Sequence, residues 1–197
     1  MLPFNKSLFD KLAHHFLTVS NSLGDDWFIE NHDDELILRK KVTTCKEFSA
    51  SDQADNSSGT DELQVEDEDV LDDCGTNIFT WDYQIIFSES FCSPVLYFNV
   101  SDSNGRNVSL EKLHIEAKSN FGVISQQMHP IFNFPFYYVH PCDMATNSGW
   151  FKLVKENGTN ALVTWLSTVA SVVNLTILEE YSNFKFDYNL TMKSDKR

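Results

Sequence analysis

The sequence predicts an α+β fold in which one antiparallel sheet of about four or more strands is flanked by N- and C-terminal helices. Three observations predict this fold. The chain begins with a segment of helical periodicity, and a second such segment lies near its C-terminus. Between them are short segments rich in β-branched and aromatic residues, separated by turns. Because no long helix is expected between these segments, an antiparallel sheet is expected.

The N-terminal third of the chain is predicted to contain one amphipathic helix and two strands. In the helix, large apolar residues recur at every fourth position: Phe4, Leu8, Leu12 and Phe16. This spacing places them on one face. Two short apolar segments follow, at 27–29 and 36–42, and a polar tract separates them. They are predicted to form two short strands.

The rest of the chain is predicted to add three strands, a short helix and a final helix. Strands are expected at 79–87, at 95–100 after Pro94, and at 136–139. A short helix is expected at 109–113, capped by Ser109. The final helix is expected to begin near Asn160, because apolar residues then follow helical spacing on one face: Leu162, Trp165, Leu166, Val169, Val172 and Val173.

Length and charge predict a single domain over 1–197, interrupted by an acidic mobile insert at 49–74. The chain has 197 residues and a formal net charge of -14. Ten acidic residues lie between 52 and 73, and no Lys or Arg occurs between Lys46 and Arg106. The insert has too little apolar content to fold on its own. A chain this acidic disfavours nucleic acid and anionic membrane surfaces as partners. Stable membrane insertion is not expected, because no 18 apolar residues run together.

The four cysteines, at 45, 74, 92 and 142, form neither a C-x-x-C pair nor a close-spaced cluster. No metal or cofactor is therefore expected. The chain lacks the apolar run of a signal peptide, which favours a cytoplasmic location with free thiols. An even cysteine count also fits an extracellular glycoprotein with two disulfides, because seven glycosylation sequons occur: Asn5, Asn56, Asn99, Asn107, Asn157, Asn174 and Asn189.

Cys142 is the candidate for catalytic chemistry. It follows the strand predicted at 136–139, and a strand end that enters a loop exposes its last side chains. Pro141 fixes the backbone just before it, and His140 is placed to polarise or orient the thiol. The alternative is a buried structural thiol, which is the usual state of a free cysteine.

Three segments resemble the conjugating enzymes of autophagy. The run 128–142, which ends His140-Pro141-Cys142, is similar to the active-site segment of that family. Residues 83–98 resemble its paired strands, and 164–169 resemble its late helix. The resemblance covers about 79–173 and implies a ubiquitin-conjugating-enzyme-like sandwich. It also implies that Cys142 carries a small protein modifier as a thioester.

The family has two branches, and this chain is closer to the branch that conjugates one protein to another. In that branch the activating enzyme, autophagy-related protein 7, loads autophagy-related protein 12 onto the cysteine. The modifier is then joined to a lysine of autophagy-related protein 5. The other branch lipidates a modifier and remains an alternative, as do an inactive scaffold and a cysteine hydrolase that uses Cys142 and His140.

At the group that stabilises the oxyanion, this chain departs from ordinary ubiquitin-conjugating enzymes. Ordinary ubiquitin-conjugating enzymes carry an Asn where this chain has Cys142, so another polar group must take its place. Gln127, His129 and Asn147 are the polar candidates nearest in sequence, and Gln127 or His129 is expected to face Cys142 from the neighbouring segment. The alternative for His129 is a cap at a strand or helix end, without a part in catalysis.

Overall fold

A computed structural model describes residues 4–47, 76–110, 124–139 and 154–189. These residues form a six-stranded antiparallel sheet with helices on one face, so the predicted α+β class is confirmed. The helices are α1 (Lys6–Leu23) and α2 (Ala161–Val169), and the strands are β1 (Phe28–His32), β2 (Glu35–Glu47), β3 (Thr76–Ser88), β4 (Ser93–Asp102), β5 (Ile124–Met128) and β6 (Pro135–Val139). The strand order is β1-β2-β3-β4-β6-β5.

Helix α1 is capped at its start by Asn5 and at its end by Gly24. The Asn5 side chain accepts a hydrogen bond from the Leu8 backbone N–H at 2.9 Å, which caps the first turn. Gly24 ends the helix in the left-handed conformation, with φ of 67°, which a residue without Cβ adopts at little cost. Between these caps, apolar side chains such as Leu12 and Phe16 are fully buried, as the four-residue spacing predicts.

The strands predicted from the sequence are present, and most are longer than predicted. β2 extends to Glu47 because it pairs with β3 from Leu38↔Ile85 to Glu47↔Thr76. β5 was not predicted, since Ile124-Ser-Gln-Gln-Met128 has little β-forming character of its own. It is a strand because all five residues pair with β6 at the edge of the sheet.

Two sequence predictions lie outside the described residues. The acidic insert at 49–74 is one of them. The short helix predicted at 109–113 is the other, apart from residues 109 and 110, which are not helical. In the described part of the chain, no helix has the length and apolarity needed to cross a bilayer.

The sheet has two differently packed faces. The helix face carries the main core, in which Leu38, Trp81 and Phe98 pack with residues of α1 and α2. The opposite face, called here the outer face, carries a smaller apolar cluster: Ile37, Ile86, Val95, Tyr97 and Phe136. Phe132 and Ile131, from the connection between β5 and β6, pack against this cluster. Both faces of the central strands are therefore buried.

Asn160 connects the two helices, and its replacement is predicted to destabilise the fold. Its side-chain oxygen accepts from Leu162 N–H at 2.9 Å, and its amide donates to the Leu12 carbonyl at 3.0 Å. We expect Asn160→Ala to lower the free energy of unfolding by about 2 kcal/mol, because it removes the cap of α2 and a buried hydrogen bond between the two helices. Urea unfolding measures this. Asn160→Asp keeps the capping oxygen and removes the donor, so an equal loss in both variants would contradict a contribution from the cap.

Candidate active site

β6 leads directly to the predicted catalytic cysteine. It ends at Val139, and Cys142 is the third residue after it. The predicted site residues His140, Pro141 and Cys142 lie outside the described residues, as does Asn147. The described part of the site is therefore the strand that precedes them and the hairpin to which this strand belongs. The contacts that hold this hairpin in place also fix the point from which the chain continues towards Cys142.

β6 is anchored between two strands and on both faces of the sheet. It pairs with β4 at Tyr97↔Tyr138 and Phe98↔Tyr137, and with β5 along its whole length. The rings of Phe98 and Tyr137 lie 5.6 Å apart, and those of Tyr97 and Tyr138 lie 5.9 Å apart. These aromatic contacts on opposite faces resist both tilting and sliding of the strand.

A side chain of β4 also fixes the start of β6. The Asn99 amide donates to the Pro135 carbonyl at 3.1 Å, and Pro135 is the first residue of the strand. Because Pro135 has no backbone N–H, its carbonyl is the group through which the backbone here can be held. β4 therefore positions the beginning of β6 as well as its middle.

Gln127 lies on β5, and its side chain is turned towards the outer face. Its amide donates to the Tyr97 hydroxyl at 2.6 Å, while the rest of the residue is exposed. Burial raises the pKa of Tyr97, and the hydrogen bond from Gln127 opposes this effect in part. The Tyr97 phenol therefore stays protonated at neutral pH. Gln127 has the donor chemistry expected of an oxyanion group, and in the fold that donor is directed at Tyr97.

His129 follows β5 and is fully buried. Its Nδ1 accepts hydrogen bonds from the backbone N–H groups of Ile131 and Phe132, each at 3.3 Å. Its own backbone closes the same turn, because its N–H donates to the Phe134 carbonyl at 2.8 Å. His129 therefore organises the connection between β5 and β6. These hydrogen bonds are those of a cap at a strand end, which is the alternative to a catalytic role for His129.

The ring of His129 is enclosed by aromatic side chains. Its centroid lies 4.7 Å from Tyr97, 4.8 Å from Phe132 and 4.9 Å from Phe136. Burial in this setting disfavours the charged form and lowers the pKa of His129 to about 4. The imidazole is therefore neutral at physiological pH. Because Nδ1 accepts hydrogen bonds, the proton of the neutral ring is on Nε2.

The structure brings Gln127 and His129 together around Tyr97. One donates to the hydroxyl of this tyrosine, and the other packs against its ring. Tyr83, by contrast, lies on the helix face, where its hydroxyl donates to the Val173 carbonyl at 2.8 Å. Tyr83 is thus part of the core, and Tyr97 is the tyrosine that joins the two candidate residues.

Sequence reasoning missed a polar network on the outer face. Arg39 donates to Asp82 through Nε and Nη2, at 2.7 and 2.6 Å, and to Glu30 at 2.5 Å. Gln84 donates to Asp82 at 3.1 Å and is itself fully buried. In β3 the polar residues Asp82 and Gln84 alternate with aromatic ones, which is typical of a solvent-facing row. In the fold, this row is covered by the connection between β5 and β6.

The described residues offer no group of three or more His, Cys, Asp or Glu that could hold a metal ion. Cys45 and Cys92 are exposed free thiols. The described residues Gln127, His129 and Tyr97 offer hydrogen bonding by neutral side chains. This is the chemistry that positions a substrate and stabilises a developing oxyanion.

Comparison with known proteins decides the family. Residues 4–180 match the family described as "Autophagocytosis associated protein, active-site domain". The chain belongs to this family. The match includes α1, the whole sheet, α2 and the segment 140–142, so the predicted recognition of an autophagy conjugating enzyme is confirmed.

Three curated relatives are similar to the chain, and each is named "Ubiquitin-like-conjugating enzyme ATG10". The human protein is 31% identical over 136 residues, covering 61% of this chain and 61% of the relative. The Arabidopsis thaliana protein is 32% identical over 123 residues, covering 52% of each. The Dictyostelium discoideum protein is 31% identical over 122 residues, covering 51% of this chain and 53% of the relative. The matched region thus spans between about half and three fifths of each relative's length.

These names agree with the branch chosen from the sequence. The run 128–142, the paired strands and the late helix led to the protein-conjugating branch, whose enzyme is autophagy-related protein 10. The relatives bear that name, which confirms this recognition.

Proposed function

We propose that this chain is a transferase that carries a ubiquitin-like modifier as a thioester on Cys142 and passes it to a lysine of an acceptor protein. The observation that carries the proposal is the match of residues 4–180 to an active-site domain family, with Cys142 inside the match. The names of the relatives support the same class of reaction. The proposed location is the cytoplasm, where cysteines stay reduced.

Two transfers make up the proposed reaction. In the first, the Cys142 thiolate attacks the thioester carbonyl that joins the modifier to its activating enzyme, and the thiolate of that enzyme leaves. In the second, a neutral lysine amine attacks the new thioester, an isopeptide bond forms and the Cys142 thiolate leaves. The amine gives up a proton to solvent or a nearby base. Because the thioester stores the energy, the chain needs only to position the groups and stabilise the oxyanion.

The proposed partners follow from the branch to which the chain is similar. Autophagy-related protein 7 is the proposed activating enzyme, autophagy-related protein 12 the modifier and autophagy-related protein 5 the acceptor. The open edges of the sheet suit acceptor binding, because an edge strand can pair with a strand of a partner. β5 is such an edge, and it is hydrogen-bonded to the strand that leads to Cys142.

A charging assay tests the proposed function. The chain is mixed with modifier, activating enzyme and ATP, and the products are separated on a non-reducing gel. A shifted band that a thiol reagent removes, and that is absent for Cys142→Ala, supports the proposal. Absence of the band with active partners would overturn it. Transfer of the modifier to phosphatidylethanolamine, in place of a protein lysine, would indicate the lipid-conjugating branch.

Gln127 is predicted to contribute to the second transfer. If its amide orients the amine or meets the oxyanion, Gln127→Ala should slow discharge of the loaded enzyme by about 100-fold, the effect typical of losing one oxyanion donor. Single-turnover discharge to the acceptor measures this rate. Gln126→Ala is the matched control, because Gln126 is exposed on the opposite side of the same strand. Normal discharge by both Gln127→Ala and His129→Ala would remove the two residues from the proposed site.

A further inference from the structure

The connection between β5 and β6 crosses the outer face of the sheet. At one end, the ring of His129 packs against Tyr97 of β4 at 4.7 Å. At the other end, the ring of Phe132 packs against His32 of β1 at 5.3 Å. In the sheet, β2 and β3 lie between β1 and β4. Residues 129–132, called here the crossing segment, therefore pass over β2 and β3.

Gln84 lies beneath this crossing segment. It is the cross-strand partner of Tyr97 on β4 and of Arg39 on β2. Directly opposed residues point to the same face, with Cβ atoms about 5 Å apart. The Gln84 side chain therefore lies next to the tyrosine ring that His129 contacts. Both Gln84 and His129 are completely shielded from solvent.

His129 and Gln84 each hold one buried polar atom that finds no hydrogen-bond partner among the described residues. These atoms are His129 Nε2 and Gln84 Oε1. Nε2 is a donor, because Nδ1 accepts the two backbone N–H groups of the turn. Oε1 is an acceptor, because the Gln84 amide nitrogen is held by Asp82. The two atoms are therefore chemically complementary.

The other atoms of this kind among the described residues lie elsewhere. They are Asp10 Oδ1 on α1 and Trp27 Nε1, whose ring packs against Phe16 of α1. His129 and Gln84 are thus the donor and acceptor that share the outer face. A buried polar atom without a partner is costly, and native proteins commonly satisfy such atoms with an ordered water.

We propose that one ordered water joins His129 Nε2–H to Gln84 Oε1, and that this polar brace fixes the crossing segment over β3. The water accepts from the imidazole and donates to the amide oxygen. By fixing the crossing segment, the brace sets the start of β6 and hence the path of the chain towards Cys142. This last step rests on the proposed function, and it makes His129 a positioning residue that does not touch the thioester.

The brace is tested first on the folded chain, without any partner. His129→Asn keeps a side-chain acceptor near the turn and removes the Nε2 donor, while Gln84→Met removes the acceptor at similar side-chain length. We expect each variant to lower the folding equilibrium constant, measured by urea unfolding, by about tenfold. The double variant should lose less than the product of the two single losses, because the brace can be removed only once, whereas the Gln84–Asp82 hydrogen bond and the ring contacts of His129 are lost separately. Losses that multiply in the double variant would overturn the proposal.

A spectroscopic measurement gives an independent answer. In protein labelled with ¹⁵N-histidine, His129 should carry its proton on Nε2 at neutral pH and exchange it slowly with solvent. Gln84→Met should speed this exchange by about tenfold or more, because the proton loses its partner. Gln126→Met is the matched control and should leave the resonance unchanged, since Gln126 is exposed on the opposite side of β5. A proton on Nδ1, or unchanged exchange in Gln84→Met, would contradict the brace.

Positioning is tested by single-turnover discharge of the loaded enzyme. His129→Asn, Gln84→Met and the double variant should slow discharge by the same factor, with the half-saturating acceptor concentration unchanged. Normal discharge in variants whose brace is shown to be lost would overturn the positioning role and leave the brace as a feature of the fold. If the chain forms no thioester at all, the proposed function fails, while unfolding and exchange still decide the brace.

Discussion

Replacing Cys142 with serine is expected to convert the labile modifier adduct into one that resists thiol reagents, and to reduce transfer to the acceptor by at least about 1,000-fold. A serine hydroxyl is a far weaker nucleophile than a thiolate at neutral pH, so loading slows. Any adduct that forms is an oxyester, which amines attack slowly. Gel analysis with and without a thiol reagent, followed by single-turnover transfer, measures both effects.

The other cysteines provide the controls for this prediction. Among the described residues, Cys45 and Cys92 are exposed free thiols, so they are the surface cysteines most open to non-specific loading with the modifier. Cys45→Ser and Cys92→Ser are expected to load and discharge normally. A thiol-sensitive adduct that persists in Cys142→Ser and disappears in one of these variants would assign the thioester to another residue and refute the role of Cys142.

The parts of the fold that local sequence determines were predictable. α1 follows from apolar residues at every fourth position, and α2 begins at Asn160 because that side chain caps it. β3 follows from its content of β-branched and aromatic residues. β5 could not be predicted in this way, because Ile124–Met128 forms a strand only through pairing with β6. Tertiary pairing decides such a segment, and local propensity does not report it.

The candidate site was likewise predictable only where local sequence determines it. Cys142 was singled out by its place after a strand, and the resemblance of 128–142 to an enzyme family gave it a chemical role. The contacts of His129 and Gln84 could not be read from the sequence, because they depend on a connection that folds back over the sheet. In β3 the alternation shows that Asp82 and Gln84 share one side of the strand. It does not show that this side is buried, because the residues that cover it lie about 45 positions later in the chain.

Protonation of His129 is expected to make the fold sensitive to acid. Burial lowers its pKa from 6.5 to about 4. Between these two pH values the unfolded chain binds a proton at this imidazole and the folded chain does not. The stabilisation is therefore complete above pH 6.5 and is lost as the pH falls from 6.5 towards 4. The difference between the two pKa values corresponds to about 3 kcal/mol over that window.

The contribution of His129 can be separated from that of other groups by comparing variants across this pH range. His15 also has a pKa lowered by burial, so the wild-type profile contains both residues. We expect the unfolding free energy of wild type minus that of His129→Asn to fall by about 3 kcal/mol between pH 7 and pH 4, so that the variant becomes the more stable protein at pH 4, whereas the corresponding difference for His15→Asn should change less. Urea unfolding at a series of pH values gives both curves. A pH-independent difference for His129→Asn would mean that this imidazole titrates normally and that the aromatic enclosure does not hold it neutral.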